Sequence, residues 1–292
     1  MPRPRILVIG EALIDIVDGV EIVGGSPANV ALGLGRLGSD VELLTAISHD
    51  TRGDRIARHL EASGVQVRPE SFVLEHTSTA TATVGPDGSA EYEFDIEWEV
   101  AELNVDGFDV VHVGSIGCFL EPGCDAVLTT VSRAAAHGAM VTFDPNIRLS
   151  LVSGADLMDR VQAIAALSTV LKLSDEDAAA VFPDLDPDQV AERLLALGPR
   201  IVAITRGGSG ALICSVDQRV EIVAPRTTVV DTVGAGDTFM AALIASVAGQ
   251  RDLQLTEEGL VEVGTFCAAA AAITVSRAGA DLPTWDEVLQ TL

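Results

Sequence analysis

The chain has 292 residues, and its 43 acidic residues outnumber its 18 basic residues, so the formal net charge is −25. With 48% hydrophobic residues, it can bury the core of one large α/β domain or of two small ones. The negative charge excludes a surface that binds nucleic acid or anionic lipid. It requires no cationic partner, because such a charge is typical of a well-solvated protein surface.

The cysteines and the apolar segments exclude further classes of protein. The four cysteines form no CxxC pair and have no histidine at metal-ligand spacing, so neither a zinc site nor a disulfide framework is predicted. The apolar run near the N-terminus is broken by Glu11 and Asp15, and the apolar stretch 259–275 contains Glu262 and falls short of about 18 uncharged residues. We therefore expect a cytoplasmic protein.

Short β-branched runs alternate with longer Ala- and Leu-rich segments along the chain. The predicted strands include RILVIG, VELLTAI, DVVHVG, AMVTFDP and IVAITRGG, and the predicted helices include NVALGLGRLG, DRIARHLEASG and AVLTTVSRAAAHG. Strands separated by helices of this length predict an α/β fold with a mainly parallel sheet covered on both faces. No linker rich in Pro, Gly or Ser divides the chain, so residues 1–292 are expected to form a single domain.

The segment 78–99 departs from this alternation. Apolar and acidic residues alternate from Ala90 to Glu99, and the turn GPDG at 85–88 precedes them, so an antiparallel hairpin is predicted. Segment 11–24 is expected to supply neighbouring strands. The apolar face of the hairpin, which includes Trp98, requires a cover, and three covers fit: the main domain, a bound ligand or a second copy of the chain.

Residues 231–239, DTVGAGDTF, place two glycines and a carboxylate directly before an apolar helix. The first amides of a helix lack intrahelical partners and lie at the positive end of the helix dipole. The turn Gly234-Ala235-Gly236 therefore predicts an anion-binding site that no large side chain obstructs. Asp237 follows in the first helical turn. Either it caps the helix, or it faces a group bound at the same helix end.

Further polar residues flank a glycine turn near the N-terminus. Asp15 ends a strand-like run, and the turn Gly24-Gly25 leads into Ser26-Pro27, where proline is typical of a first helical position. Asn29 lies one turn into that helix. A carboxylate and a carboxamide together suit a ligand rich in hydroxyl groups, because one accepts hydrogen bonds and the other both donates and accepts them.

Two later turns also carry candidate ligand groups. FDPNIR, residues 143–148, follows a predicted strand at the sheet edge where open α/β folds bind ligands, and it holds Asp144, Asn146 and Arg148. ITRGGSGALI, residues 204–213, fits a plain hairpin turn and a loop beneath a nucleotide equally well.

Taken together, these motifs resemble those of the PfkB, or ribokinase-like, carbohydrate kinases over essentially the whole chain, and they are most similar to fructokinase-type members. DTVGAGD has the form of the family's late signature, and GGSPANVA has the form of its early one. FDPNIR is similar to the fructokinase form of the mid-chain motif, and AITVSRAGADLP resembles the family's C-terminal loop for adenine and a monovalent cation. The resemblance implies a three-layer αβα sandwich with a small β lid from about 11–24 and 78–99.

The resemblance also implies a role for each candidate residue. Asp237 would be the general base that takes the proton of a sugar hydroxyl, and the Gly234-Ala235-Gly236 amides would stabilise the γ-phosphoryl group of ATP during its transfer. The residues implied to bind the sugar are Asp15, Gly25, Asn29 and Arg148. Those implied to bind the nucleotide are Ser174, Thr205, Gly207 and Gly210.

The implied cofactors are ATP, Mg²⁺ and a potassium-like cation, the last held near Asp231. The family's Asn-x-x-Glu motif, which is linked to Mg²⁺ through water, is replaced here by Ser174 and Asp177. Aspartate reaches one methylene less far than glutamate, so the metal geometry is expected to differ. The implied partners are a small sugar and ATP, with a homodimer through the lid.

Several alternatives bear on the substrate and the class of protein. Fructose is the expected substrate, and the same family also offers 2-keto-3-deoxygluconate, another sugar or a nucleoside. A non-catalytic binding protein on the same fold is a further alternative.

GLGRLG at 33–38 matches the letters of a dinucleotide-binding fingerprint, which must follow a strand and open a helix. Here a predicted helix has already begun before it and a strand follows it, so no dinucleotide site is expected. A P-loop is absent, and Lys172, the only lysine, precedes an acidic stretch, so amides, metal and arginine are expected to balance the phosphate charge.

Overall fold

The computed structural model of the chain describes residues 3–84, 90–152, 155–249 and 256–292. Within these ranges, strands and helices alternate along the chain as predicted. The strands are β1 (Arg5–Ile9), β2 (Leu13–Val17), β3 (Val20–Gly24), β4 (Asp40–Leu44), β5 (Val65–Val67), β6 (Thr79–Val84), β7 (Ala90–Asp95), β8 (Val110–Gly114), β9 (Met140–Asp144), β10 (Val170–Ser174), β11 (Ile201–Thr205), β12 (Ala211–Ser215) and β13 (Arg219–Ile222). The helices are α1 (Ser26–Arg36), α2 (Thr51–Glu61), α3 (Gly123–Ala136), α4 (Ala155–Leu167), α5 (Asp175–Val181), α6 (Pro187–Leu195), α7 (Ala235–Val247), α8 (Glu257–Val275) and α9 (Trp285–Leu289).

A nine-stranded sheet forms the centre of the molecule, with the strand order β13-β12-β11-β10-β9-β8-β1-β4-β5. Neighbouring strands from β5 to β11 in this order are parallel, whereas β12 pairs in the antiparallel direction with both β11 and β13. The mainly parallel sheet expected from the sequence is therefore confirmed. Because parallel strands share a direction, the ends of β1, β8, β9, β10 and β11 meet at one edge.

Helices cover both faces of this sheet, which confirms the three-layer αβα architecture. The alternation of side chains along β1 separates the two cores: Ile6 and Val8 pack with residues of α1, α2, α7 and α8, whereas Leu7 and Ile9 pack with residues of α3 to α6. A strand buried on both faces must be apolar at every inward position, as RILVI is.

Helix α8 is long and apolar enough to cross a membrane by length and composition, with a mean hydropathy of 1.4 over its 18-residue window, although it contains Glu257, Glu258 and Glu262. Half of that window is buried inside the protein. Gly264 lets α8 approach the sheet, since a Cβ there would lie 2.5 Å from a side-chain atom of Ile222. This contact identifies α8 as a helix of the main core.

A second sheet of four strands, in the order β3-β2-β6-β7, lies within segments 11–24 and 78–99. Strands β2 and β3 form a hairpin whose turn residues Asp18 and Gly19 both have positive φ, as the two-residue turn requires. The predicted turn at 85–88 lies outside the described residues, but β6 and β7 pair in antiparallel register on either side of it.

The expectation that Trp98 lies on the apolar face of this hairpin was wrong. Strand β7 ends at Asp95, and the Trp98 side chain is buried in the main core, where its Nε1 donates to the carbonyl oxygen of Gly117 at 2.9 Å. A buried indole N–H must find an acceptor, and this one finds it in the segment that follows β8.

Gly33 and Gly35, which match the dinucleotide fingerprint in letters, lie inside α1 and permit close packing. A Cβ on Gly33 would lie 2.8 Å from Cβ of Ala241 on α7, and one on Gly35 would lie 2.3 Å from the carbonyl oxygen of Ser63. These glycines therefore bring α1 against α7 and α2, and Gly38, with φ of +83°, follows the helix end. The rejection of a dinucleotide motif agrees with this placement.

The turn between β11 and β12 offers a matched pair of glycine substitutions. At Gly210, φ is +90° and a Cβ would lie 1.9 Å from the carbonyl oxygen of Ile222, whereas a Cβ on Gly208 meets no atom within 4 Å. We expect Gly210→Ala to lower the free energy of unfolding by at least about 2 kcal/mol, because it combines backbone strain with a clash. Gly208→Ala should stay within about 0.5 kcal/mol of wild type. Urea unfolding measures both, and equal losses would contradict this packing.

Candidate functional site

The predicted site residues gather at the edge where the parallel strands end. Asp144, Ser174 and Thr205 are the last residues of β9, β10 and β11, and the first turns of α1 and α7 lie close together at this edge. Open α/β sheets bind ligands at this edge, because the chain leaves each strand there and helix N-termini are presented to the same space.

Asp237 lies in the first turn of α7, is buried, and accepts two hydrogen bonds from α1. Ser26 Oγ donates to its Oδ1 at 2.7 Å, and Asn29 Nδ2 donates to its Oδ2 at 2.8 Å. The carboxylate therefore does not cap its own helix, and Gly234 serves as N-cap without a side-chain hydrogen bond. Both donors fix the orientation of the carboxylate. The sequence indicated Asn29 but missed Ser26, which differs little from an ordinary residue before a proline.

The first turn of α7 begins with a backbone that only glycine adopts easily. Gly234 has φ of +77°, and a Cβ there would lie 2.8 Å from Cβ of Ala280. The amide of Ala235 lies 3.3 Å from the carbonyl oxygen of Thr232. In the described chain, the amides of Gly236 and Asp237 have no acceptor in reach. They are the donors that the helix end offers to an anion.

The two glycines at 24–25 accommodate Asp15, although not as the sequence predicted. Asp15 lies in the middle of β2, not at the end of a strand as expected, and it is half-buried. A Cβ on Gly24 would lie 1.9 Å from its Oδ2. Gly25 has φ of +104°, and a Cβ there would lie 2.5 Å from the carbonyl oxygen of Glu11. Glycine at 24 makes room for the carboxylate, and glycine at 25 turns the chain into α1.

Glu11 is a buried carboxylate at this site that the sequence reasoning did not select. It follows β1 and accepts a hydrogen bond from the amide of Gly117 at 3.1 Å, and it also interacts with Ser115, whose φ is +53°. Burial raises the pKa of Glu11 to about 7, although both hydrogen bonds and the charge of Arg148 oppose the rise. The only signal in the sequence was an acidic residue that interrupts an apolar run.

Arg148 lies in the exposed part of the FDPNIR turn and is close to two acids. Its charge lowers the pKa of Asp15 and of Glu11, while burial raises both. The polar residues of the turn differ in burial. Asp144 is buried at the end of β9, Asn146 is half-buried with φ of +36°, and Arg148 is exposed. The charge of Arg148 therefore acts on Asp15 and Glu11, whereas the carboxylate of Asp144 is buried.

Asp144 forms a buried ion pair with Lys172, the chain's only lysine. Lys172 Nζ lies 2.9 Å from Asp144 Oδ2, and the two side chains are 5% and 1% exposed. Burial, helped by the nearby charges of Asp177 and Asp237, raises the pKa of Asp144 to about 6 against the effect of Lys172. The sequence placed Lys172 before an acidic stretch and assigned it no role.

Asp177 and Ser174 hold the FDPNIR turn. Ser174 caps α5 in a reciprocal capping box with Asp177. Asp177 accepts from the Ile147 amide at 2.7 Å, from the Ser174 amide at 3.0 Å and from Ser174 Oγ at 2.7 Å. Its carboxylate is thus already engaged, and it joins α5 to the loop that carries Arg148.

The nucleotide-side candidates occupy the end of β11 and the turn after it. Thr205 is half-buried and its Oγ1 lies 3.5 Å from the carbonyl oxygen of Leu173, while Gly207 is exposed with φ of +50°. Gly210 is required by the hairpin itself, as its contact with Ile222 indicates. The segment is therefore a hairpin turn, as one of the two interpretations predicted. Its exposed surface at Gly207 could still contact a nucleotide.

Asp231 connects the loop before α7 to the segment after α8. It accepts from the amide of Val233 at 3.0 Å and from the amide of Gly279 at 2.9 Å, and these bonds lower its pKa. Across the described ranges, no group of three or more His, Cys, Asp or Glu is arranged to hold a metal ion. A divalent metal here would bind mainly through phosphate oxygens and water, as Mg²⁺ commonly does.

The raised pKa of Glu11 predicts a pH-dependent stability. The folded protein retains the Glu11 proton up to about pH 7, whereas the unfolded chain releases it near 4.5, so the free energy of unfolding falls as pH rises between these values. Glu11→Gln should remove on the order of 2 kcal/mol of this fall. Urea unfolding at pH 5 and pH 8 measures it, with exposed Glu61→Gln as control. Identical pH dependence in wild type and Glu11→Gln would contradict the burial effect.

Comparison with known proteins identifies the family. The model of the pfkB family carbohydrate kinases matches residues 4–287. The chain is 30% identical over 316 residues to probable fructokinase-6 of Arabidopsis thaliana, a match that covers 99% of this chain and 82% of that protein. It is 33% identical over 260 residues to a fructokinase of Rhizobium leguminosarum bv. trifolii, covering 83% of this chain and 79% of the relative.

A solved structure gives the same answer. The fructokinase of Xylella fastidiosa with bound ATP superposes with a TM-score of 0.85 at 25% identity, covering 99% of this chain and 98% of that one. The resemblance inferred from the sequence motifs is confirmed by these matches. With its three-layer fold and the two helix N-termini that meet at Asp237, the chain belongs to the pfkB family of carbohydrate kinases.

Proposed function

We propose that the protein transfers the γ-phosphoryl group of ATP to a hydroxyl of a small carbohydrate, with fructose as the preferred acceptor. Membership of a carbohydrate kinase family supports the reaction class, and fructokinase relatives that span most of the chain support the acceptor. The observation that carries the proposal is the buried carboxylate of Asp237, held by α1 beside the free amides of α7. A protein that only bound sugar would have no need of a fixed base beside an anion-binding turn.

Asp237 acts in this mechanism as the general base. It accepts the proton of the acceptor hydroxyl as that oxygen bonds to the γ-phosphorus, and the bond from phosphorus to the β–γ bridging oxygen breaks so that ADP leaves. The hydrogen bonds from Ser26 and Asn29 keep the carboxylate aligned. The Gly234-Ala235-Gly236 turn and the amide of Asp237 stabilise the transferred group, because the helix dipole and free N–H donors face it.

The sugar would be bound between α1 and the small sheet. Asp15 on β2, Gly25 before α1, and Asn29 within it offer acceptors and a donor to hydroxyl groups. Arg148 lies near Asp15, which favours a ketose or a sugar acid over a nucleoside. 2-Keto-3-deoxygluconate is therefore the second candidate acceptor.

ATP would lie along the ends of β10 and β11. Ser174, Thr205, Gly207 and Gly210 line this part of the edge. Mg²⁺ bound to the phosphates would supply positive charge, with Asp177 reaching it through water, and K⁺ would bind near Asp231, where the loops around α7 and after α8 meet.

The small sheet would act as a lid and as a dimer contact. Asp15 belongs to its strand β2, so the sheet itself contributes to the sugar site. Val17, Val20 and Ile22 on β2 and β3 are exposed, and a second copy of the chain would cover them. We place the enzyme in the cytoplasm, where ATP and free sugars meet.

An ATP-consumption assay across sugars, sugar acids, sugar phosphates and nucleosides, with and without potassium, tests this proposal. We expect the highest kcat/KM with fructose. Asp237→Asn should keep sugar affinity nearly intact and lower kcat by roughly 10² to 10⁴, the usual effect of a lost general base. Unchanged kcat in this variant would remove Asp237 from the mechanism, and no turnover with any acceptor would contradict the kinase function.

Asp15→Ala tests the assignment of the sugar side. The variant should weaken the binding of fructose by roughly 10-fold or more, because a half-buried charged acceptor is lost, while the affinity for ADP stays within about two-fold. Calorimetry with each ligand measures this difference, and Asp18→Asn in the nearby exposed turn is the control, because asparagine removes the charge and tolerates the positive φ. A larger loss for ADP than for fructose would reverse the two ends of the pocket.

A further inference from the structure

We propose that Lys172 is the fixed positive charge that faces the transferred phosphoryl group from beneath the first turn of α7, and that Asp144 is a positioning residue that acts through it. This inference rests on the proposed kinase function and adds a residue to it. It also replaces the expectation that amides, metal and arginine alone balance the phosphate charge.

The first support is the position of Lys172 in the fold. The chain contains one lysine, and that lysine lies in the interior of a central strand with only 5% of its side chain exposed. A buried ammonium is costly unless a partner compensates it, and here the partner is Asp144 on the next strand. Strands β9 and β10 already pair through their backbones, so the ion pair is not needed to set their register.

The second support is the contact between Lys172 and α7. A Cβ on Gly236 would lie 3.0 Å from Nζ of Lys172, so the ammonium lies directly against the turn that binds the anion. Glycine at 236 leaves the space between the charge and the ligand open. The free amide of Gly236 and the ammonium of Lys172 thus face the same region.

The third support is the direction of the ion pair. Asp144 lies at the end of β9 and Lys172 extends from β10 toward α7, so the positive end of the pair faces the helix N-terminus. The other oxygen of Asp144, Oδ1, is buried without a hydrogen-bond partner. A pair that served stability alone would be expected to satisfy both oxygens.

The charges around Lys172 favour its protonated form. Burial lowers its pKa, but Asp144, Asp177 and Asp237 together raise it above the usual value. The ammonium therefore stays charged while a phosphoryl group with several negative oxygens arrives beside Asp237. Its charge would also reduce the repulsion between that carboxylate and the phosphate.

Because Lys172 is the only lysine, protein made with ε-¹⁵N-lysine has a single side-chain ammonium signal in NMR spectra. We expect this signal to shift when fructose, Mg²⁺ and a non-hydrolysable ATP analogue bind, and to shift much less when ADP replaces the analogue. Calorimetry on the same samples establishes that each nucleotide is bound. Equal signals in the two complexes would overturn the inference and leave the kinase function intact, whereas failure of both nucleotides to bind would overturn both.

A pair of variants separates catalysis from stability. Lys172→Met alone leaves Asp144 unpaired in the core and should lower the unfolding temperature, and adding Asp144→Asn should recover most of that loss. We expect the double variant to retain fructose affinity and to have kcat lowered by roughly 10²-fold, the effect of losing one group that stabilises developing charge. Wild-type kcat in the double variant would overturn the inference. If the double variant does not fold, the NMR comparison on the wild-type protein decides.

Discussion

The carboxylate of Asp237 accepts one hydrogen bond from Ser26 and one from Asn29, residues more than 200 positions earlier in the chain. These two bonds join the first turn of α1 to the first turn of α7, and the rest of the site is arranged around that junction. Gly33 lets the two helices touch along their length, because a Cβ there would lie 2.8 Å from Ala241. A buried carboxylate held by two fixed donors keeps one orientation, which suits a general base better than a flexible acid on the surface.

The local electrostatics differ from those of the whole molecule. The chain carries a formal charge of −25, yet its proposed substrate ATP is itself an anion. Acidic residues at the site are mostly engaged: Asp144 pairs with Lys172, and Asp177 and Asp231 accept backbone amides. The N-terminus of α7 and the ammonium of Lys172 lie together at this edge of the sheet. In the proposed mechanism, these two groups would attract phosphate locally even though the surface as a whole is negative.

The sequence predicted the architecture well, because short β-branched runs such as β1 alternate with longer Ala- and Leu-rich segments such as α1, and this alternation is typical of a parallel sheet covered by helices. It also indicated Asp15, Asn29 and Asp237, whose glycine turns are visible as motifs. It could not indicate Glu11 or Lys172, since their importance depends on which strands become neighbours. Strand order is a property of the tertiary fold: Lys172 meets Asp144 only because β9 and β10 pair. Trp98 was wrongly assigned to the hairpin because the alternating pattern of apolar and acidic residues continues past Asp95, where β7 ends.

The central claim is that Asp237 stands where it can take the proton of the acceptor hydroxyl while the amides of α7 face the phosphorus. A crystal structure of the protein with fructose, Mg²⁺ and a non-hydrolysable ATP analogue tests it most directly. We expect one fructose hydroxyl to lie about 2.6–3.2 Å from a carboxylate oxygen of Asp237, with the γ-phosphate at the amides of Gly236 and Asp237. A complex in which every sugar hydroxyl lies beyond about 5 Å from that carboxylate, more than one water away, would contradict it.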